Sequence, residues 1–365
     1  MIKVLIVATT KLELDGITNV ILNYYRSIDK SDMKIDFVVP NELRNDLSEE
    51  FKSNRSKIFK IIGRTRNPIK YIKTLSNIIK ENQYDIVHAH GNSYTLAVEM
   101  YAAKLGGCKI RIPHSHNTTS KHMLVHNMLK GLFNKNYTHG FACSQKAGEW
   151  LYGTKKFEII NNGINIDKYK YKDEVREQYR EKYKLENNKV IGHIGGFNEQ
   201  KNHKFLINVF YELYKLDNSY RLMLIGDGQL RADIENQVKD LGLTDMTIFM
   251  GKTLDVPNLM QAMDIIIMPS KYEGLPLSLV EAQSASLPCF ISTAISKEVK
   301  MTNLVKFIDL NKSPSEWAKI INEYKYNDRD EIKDNSCRNI EEKGYSIREN
   351  ANKMKSLYLE YIKQK

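Results

Sequence analysis

Glu273 and Glu281 stand eight positions apart in the string E-G-L-P-L-S-L-V-E, and their setting points to chemistry. An apolar run ends at Pro269, a polar loop leads to Pro276, and an amphipathic stretch continues toward Ala285. Pro276 suits a first helical position, because proline has no N–H to lose there and its φ is already helical. The free N–H groups and dipole of such a helix start attract an anion, phosphate above all. Glu281, about one and a half turns further on, is then placed to accept bonds from ribose hydroxyls, while Glu273 faces the group beyond the phosphates.

Histidine is the other residue type with a telling arrangement. His88-Ala89-His90-Gly91 and His114-Ser115-His116-Asn117 each end an apolar run, and residues two apart on a strand face the same side. Each pair therefore points together. His122 and His126 have helical i, i+4 spacing, but H-M-L-V-H lacks the glutamate of H-E-x-x-H, and no metal is expected there. Gly226-Asp227-Gly228 follows a strand-like run, yet Arg231 occupies the place of the third glycine in G-x-G-x-x-G, which argues against a nicotinamide cofactor.

The elements that must position these groups are short Ile/Val-rich runs alternating with longer amphipathic segments, the pattern of β-α-β units and a parallel sheet covered on both faces. Strands are predicted at residues 3–8, 35–40, 58–62, 86–88, 109–113, 140–143 and 158–160, then at 190–194, 221–225, 247–249, 265–268 and 289–292. Residues 168–189, highly charged and nearly without apolar side chains, read as an exposed helical connector between domains. The expected architecture is α/β: two doubly wound domains, 1–170 and 171–345, with ligands in the cleft facing the C-terminal ends of their strands, and a final amphipathic helix over 346–365 packing back on the first domain. The apolar run at 4–8 is too short for a signal-peptide core, and no run approaches the length of a membrane span. Four dispersed cysteines without a C-x-x-C pair exclude a zinc knot and a disulfide scaffold, so a reducing cytoplasm is the expected home.

The E-x7-E spacing of Glu273 and Glu281 resembles that of retaining glycosyltransferases of the GT-B fold, specifically family 4. Other stations fall in that family's order: N-N-G-I-N-I-D-K-Y at 161–169 resembles the junction closing its first domain, G-G-F-N-E-Q-K-N at 195–202 its G-R-F-x-x-x-K-N segment, and L-I-G-D-G-Q-L at 224–230 its L-x-G-x-G-P-L. The resemblance spans the whole chain and looks nearest to bacterial enzymes that build capsular and exopolysaccharide repeat units. It implies that Lys201 holds the donor diphosphate, that Gly274, Leu275 and Pro276 line the phosphate site with Glu273 and Glu281, and that Phe249 to Gly251 meets the base. Gly16 matches the Gly-rich turn after the first strand, although the usual pair of glycines is Asp15-Gly16 here. A histidine near the reacting sugar corresponds to His114 or His116. Gly196 departs from the pattern: the family has arginine there, so one of two cations expected at the diphosphate is missing.

The chain of 365 residues carries a formal charge of +11. All of it lies in residues 1–170, which hold 26 basic and 15 acidic side chains, against 29 of each in 171–365. No helix-turn-helix, RNP, KH or zinc-finger pattern accompanies it, so nucleic acid is not the expected partner. Residues 51–80, with Lys57, Lys60, Arg64 and Arg66, and residues 121–135, where Met123, Leu124, Met128, Leu129, Leu132 and Phe133 interleave with lysines, instead suit an anionic lipid surface.

The expected activity is transfer of a hexosyl or N-acetylhexosaminyl group with retention, from a nucleotide-diphosphate sugar, UDP-linked by expectation, to a polyprenyl-diphosphate-linked glycan. It would take place without metal or other cofactor, in a cytoplasmic protein resting on the inner face of the membrane. A nucleotide-sugar epimerase of the same fold and a silent partner of a transferase are the alternatives.

Overall fold

The computed structural model describes residues 1–13, 16–118, 123–325 and 328–364. They form two compact units, Met1–Gly163 with Ile347–Lys365, and Ile164–Ser346. The division falls earlier than residue 170, inside the N-N-G-I junction.

The first unit contains β1 (Ile2–Ala8), β2 (Met33–Val39), β3 (Ile58–Lys60), β4 (Ile86–Gly91), β5 (Ile110–Ser115), β6 (Phe141–Ala142) and β7 (Glu158–Ile159), in the order β3-β2-β1-β4-β5-β6-β7. All neighbours are parallel, and Val4, Leu5, Val7, Val87, Ala89 and Ile112 are fully buried, as a sheet covered on both faces requires. The order reverses between β1 and β4, so the crevice of this sheet opens past the C-terminal ends of those strands. The final helix Ile347–Lys363 belongs to this unit: Ala351 and Tyr358 are fully buried, Lys355 pairs with Asp29 and Asp32 at 2.8 and 2.7 Å, and Asn350 donates to the Asn161 carbonyl.

The second unit contains β8 (Lys189–Ile194), β9 (Tyr220–Ile225), β10 (Thr247–Gly251), β11 (Ile265–Met268), β12 (Cys289–Ser292) and β13 (Val305–Ile308), ordered β10-β9-β8-β11-β12-β13 and again all parallel. Its switch point lies between β8 and β11. Strand β13 escapes the sequence reading because V-K-F-I is short, sits at the sheet edge and carries an exposed lysine in its middle.

The charged segment 168–189 is not an exposed connector. Its helix, Asp173–Lys182, packs within the second unit against the helix Val256–Ala262, and Arg176 and Arg180 both clasp Asp264, at 2.5 and 3.1 Å. Arg180 is buried, donating also to the Ala262 carbonyl. Partnered charges fill the place that apolar residues take in other helices, which is why the composition misleads.

The new division sharpens the charge asymmetry. The first unit holds 29 basic and 16 acidic side chains, the second 26 and 28.

Candidate functional site

The second unit places its motif residues at or past the C-terminal ends of β8, β9, β10 and β11. The loop after β8 is laced to the loop after β11: Lys271 N–H donates to the Gln200 carbonyl at 2.8 Å, Gln200 Nε2 to the Tyr272 carbonyl at 3.0 Å, and Asn202 Nδ2 to the Pro269 carbonyl at 3.1 Å. This lacing sets Lys201 Nζ 2.7 Å from Glu273 Oε1, with both side chains largely shielded from solvent. The ammonium has three donors, so it can hold Glu273 and an incoming phosphate oxygen together.

Two glycines let the loops come that close. A Cβ on Gly195 would lie 2.9 Å from Lys201 Cε, so the lysine stem lies across bare backbone. Gly226 has φ +140°, and a Cβ there would meet the Gly195 carbonyl oxygen at 2.1 Å. Gly226 N–H donates to the Gly251 carbonyl at 2.9 Å, which ties the Phe249–Gly251 segment to the same loops. Arg231 lies over the Phe249 ring at 5.8 Å. Gly196, the position lacking arginine, has only Asn198 Nδ2 and the Asp227 carbonyl near its would-be Cβ, both at an ordinary 3.5 Å.

The helix after this loop runs Leu277–Ser284, with extended Pro276 capping it from outside rather than opening it. Gly274 is exposed with nothing around its would-be Cβ, Leu275 packs into the core, and no side chain caps the helix start. The Leu279 N–H donates to the Pro276 carbonyl at 3.0 Å, which leaves those of Leu277 and Ser278 for an anion. Glu281 lies within this helix, and burial pushes its carboxyl up to about 7, opposed by a hydrogen bond from Tyr169 Oη at 2.8 Å and by Lys168. Tyr169 is a functional candidate that sequence reading leaves without a role. Its motif asks only for an aromatic ring at that place, and the hydroxyl alone reaches the carboxylate.

The folded carboxyl, pushed up to about 7, lies above the ordinary glutamate range, so this group's contribution to stability declines as pH rises through the interval up to about 7. Ribose hydroxyls bind best to the ionised form. UDP affinity is therefore expected to strengthen as pH rises from about 6 to 8. Calorimetry should show this dependence in the native protein and its loss in Glu281→Gln, apart from the ionisation of UDP itself. In Tyr169→Phe the same rise should move to higher pH.

Two buried histidines adjoin this loop cluster. His193 Nδ1 bonds to the Ile267 carbonyl at 2.8 Å while its Nε2 has no partner, and His203, stacked on Phe197 at 4.1 Å, has neither nitrogen bonded. Burial depresses both, His203 to about 4 with Lys201 adding to it, and His193 well below its ordinary value with His203 adding to it, so both rings stay neutral.

In the first unit, Gly16 opens the helix Gly16–Ser27 after β1, with open space around its would-be Cβ, and Asp15 lies outside the described residues. His88, His90 and His114 are buried side by side on β4 and β5, with His116 just past the end of β5. Burial depresses all four, His116 to about 4 and His88 to about 3. Ring nitrogens of His88, His90 and His114 lie within 4.8 Å of one another, the group among the described residues able to gather on a metal ion. The geometry favours shared protons. His88 Nε2 meets His114 Nδ1 at 3.1 Å with the rings only 11° from coplanar, so their lone pairs aim at each other and a metal at about 2.0–2.1 Å from each must sit off that line. His126 is buried between Tyr94 and Trp150 and accepts from the Tyr94 N–H, while His122 lies outside the described residues.

Two parallel, doubly wound sheets, each with a switch point, define a GT-B fold. Residues 14–168 match the model of Glycosyltransferase Family 4 and residues 175–346 that of Glycosyl transferases group 1. The chain is 33% identical over 328 residues to the putative glycosyltransferase EpsF of Bacillus subtilis, covering 84% of this chain and 83% of that one. It is 26% identical over 322 residues to UDP-Gal:alpha-D-GlcNAc-diphosphoundecaprenol alpha-1,3-galactosyltransferase of Escherichia coli, covering 81% of each. Its fold matches that of Anabaena Alr3699/HepE in complex with UDP-glucose, at TM-score 0.69 and 18% identity over 100% of this chain and 98% of that one. The protein belongs to the family 4 glycosyltransferases with the GT-B fold, and it is a transferase.

Proposed function

We propose that the protein transfers a hexosyl or N-acetylhexosaminyl group, with retention, from a UDP-sugar to a polyprenyl-diphosphate-linked glycan during exopolysaccharide assembly. The observation that carries this reading is the shielded Lys201–Glu273 pair, held where the loop after β11 enters a helix with free N–H groups. Lys201 and those N–H groups receive the diphosphate, Glu281 the ribose, Phe249 to Gly251 the base, and Glu273 the sugar hydroxyls. As the bond between the anomeric carbon and the phosphate oxygen breaks, negative charge grows on the leaving UDP, and a fixed ammonium stabilises that charge more than it does the bound donor. His116 is the histidine assigned to the donor sugar, because His114 lies wholly inside its strand. The UDP complexes of the structural neighbour and the lipid-diphosphate acceptor of the Escherichia coli relative support the donor and acceptor classes.

Incubation with a panel of nucleotide sugars tests the donor. Slow release of UDP from one of them is expected, and release from a GDP- or ADP-sugar instead would overturn the UDP assignment. The space at position 196 adds a prediction: Gly196→Arg should tighten UDP binding about 10- to 100-fold, since a charged hydrogen bond contributes about 1.5–3 kcal/mol. Weaker binding by calorimetry would contradict the room seen there.

The acceptor's carrier would be reached from the inner face of the membrane. Leu124 (82% exposed), Met128 (83%) and Ile69 (80%) stand out with exposed Arg66, Lys70 and Lys73 in the basic first unit. Phe133, expected on this surface, is buried in the core, and Arg64 is engaged with Glu99. No helix among the described residues is long and apolar enough to cross a membrane. Replacing Arg66, Lys70 and Lys73 with glutamate should release the protein from vesicles containing anionic lipid, each charge contributing about 1 kcal/mol. Unchanged co-sedimentation would remove this surface from the account.

A further inference from the structure

The four histidines of the first unit form a two-by-two array. Strands β4 and β5 are in register with His88 beside Ile112 and His90 beside His114. The rings nonetheless pair one step forward along β5: His88 Nε2 with His114 Nδ1 at 3.1 Å, and His90 Nδ1 with His116 Nε2 at 2.8 Å. Each pair is nearly coplanar, at 11° and 14°, with centroids 5.2 and 5.0 Å apart, so the rings meet nose to nose in one plane. The two pairs then stack on each other, His88 over His90 at 4.3 Å and His114 over His116 at 4.2 Å.

An N···N gap of this length holds one proton, so within each pair one ring donates and the other accepts. The inner pair is anchored from behind by Tyr358 of the final helix, whose Oη lies 2.5 Å from His88 Nδ1. The outer pair is clamped between that anchored pair and the chain end of β5, where His116 N–H donates to the Gly91 carbonyl at 3.2 Å. His116 therefore has one ring nitrogen committed. Its other nitrogen, Nδ1, is buried beside Asn162, whose side chain gives the ring a hydrogen bond that opposes the downward shift.

We propose that His90 is a positioning residue that fixes the ring plane and tautomer of His116, leaving His116 Nδ1, beside Asn162, as the one ring nitrogen of that residue outside the histidine array. This rests on the assignment of His116 to the donor sugar. It adds the reason for two histidine pairs on adjacent strands. The outer pair presents a nitrogen of defined protonation, and the inner pair, stacked beneath it and tied to Tyr358, keeps the outer rings from turning.

The test exploits the shapes of two amides. An asparagine side chain places its amide about where Nδ1 of histidine lies and can still bond His116 Nε2, whereas glutamine mimics Nε2 and phenylalanine keeps only the ring stack. In the full-length protein, His90→Phe and His90→Gln are expected to lower kcat about 10- to 100-fold, within the range lost by small misplacements of catalytic groups, with the donor KM unchanged. His90→Asn should stay within about threefold of the native enzyme, since it keeps the bond. Nitrogen NMR of the His116 ring should show a single tautomer in the native protein and in His90→Asn, and an averaged pair of signals in the other two. A single unchanged tautomer in both His90→Phe and His90→Gln, or equal losses of kcat in His90→Asn and His90→Gln, would overturn the proposal. Native activity in His116→Ala would instead remove the donor-sugar assignment, while the NMR comparison still reports on His90 and His116 directly.

Discussion

Lys201→Ala should abolish measurable UDP binding and lower turnover by about 10²–10³, the loss typical of removing one fixed donor from developing transition-state charge. Two effects combine at this residue. The ammonium is the one cation the motifs place at the diphosphate, since the arginine expected at position 196 is a glycine. It also neutralises Glu273 at 2.7 Å in a largely shielded setting, and without it the carboxylate would repel a diphosphate bound nearby. Lys201→Arg should recover part of the binding but not native turnover, because a planar fork cannot replace a compact ammonium over the bare backbone at Gly195. Lys201→Ala/Glu273→Gln should bind UDP better than Lys201→Ala alone. Native-like calorimetry in Lys201→Ala would place the diphosphate elsewhere.

The largest stability effect is expected in the first unit. Glu99 is fully buried in the first unit, and Arg64 reaches it with both prongs, Nε at 2.7 Å and Nη2 at 2.9 Å, while Nη2 also donates to the Thr95 carbonyl. Removing the arginine leaves an unpaired buried charge, which costs about 3–5 kcal/mol, a large part of the 5–15 kcal/mol that holds a typical domain folded. Arg64→Ala should therefore lower the melting temperature of the first unit by roughly 6–20 °C. Arg64→Met/Glu99→Met should recover most of that loss, since no charge is then stranded. A melting temperature unchanged in Arg64→Ala would mean that Glu99 finds water or another partner. The pair also explains why Arg64 cannot serve as a lipid contact, although the sequence places it in the most basic stretch of the chain.

The contrast between Arg64 and Lys201 shows what a sequence carries and what it hides. Alternating apolar runs specified both parallel sheets, because a strand buried on two faces is largely apolar, and the short edge strand β13, with an exposed lysine in its middle, escaped that pattern. The loop residues of the donor motifs were legible because spacing around a strand end and a helix start is a local property. Side-chain pairing between distant segments was not. Nothing local marks Arg64 for Glu99, Arg176 and Arg180 for Asp264, or the hydroxyl of Tyr169 for Glu281. The two H-x-H pairs are intermediate: their common face follows from strand geometry, but the forward lean that joins His90 to His116 depends on how the strands are registered.

Donor identity and the assignment of His116 to the donor sugar both depend on one claim, that the loops after β8 and β11 bind a nucleoside diphosphate. Titration calorimetry of the native protein with UDP, repeated on Glu281→Gln and Lys201→Ala, tests it most directly. One site per chain is expected, weakened by Glu281→Gln and lost in Lys201→Ala. No measurable UDP binding to the native protein, or equal binding in all three, would contradict it.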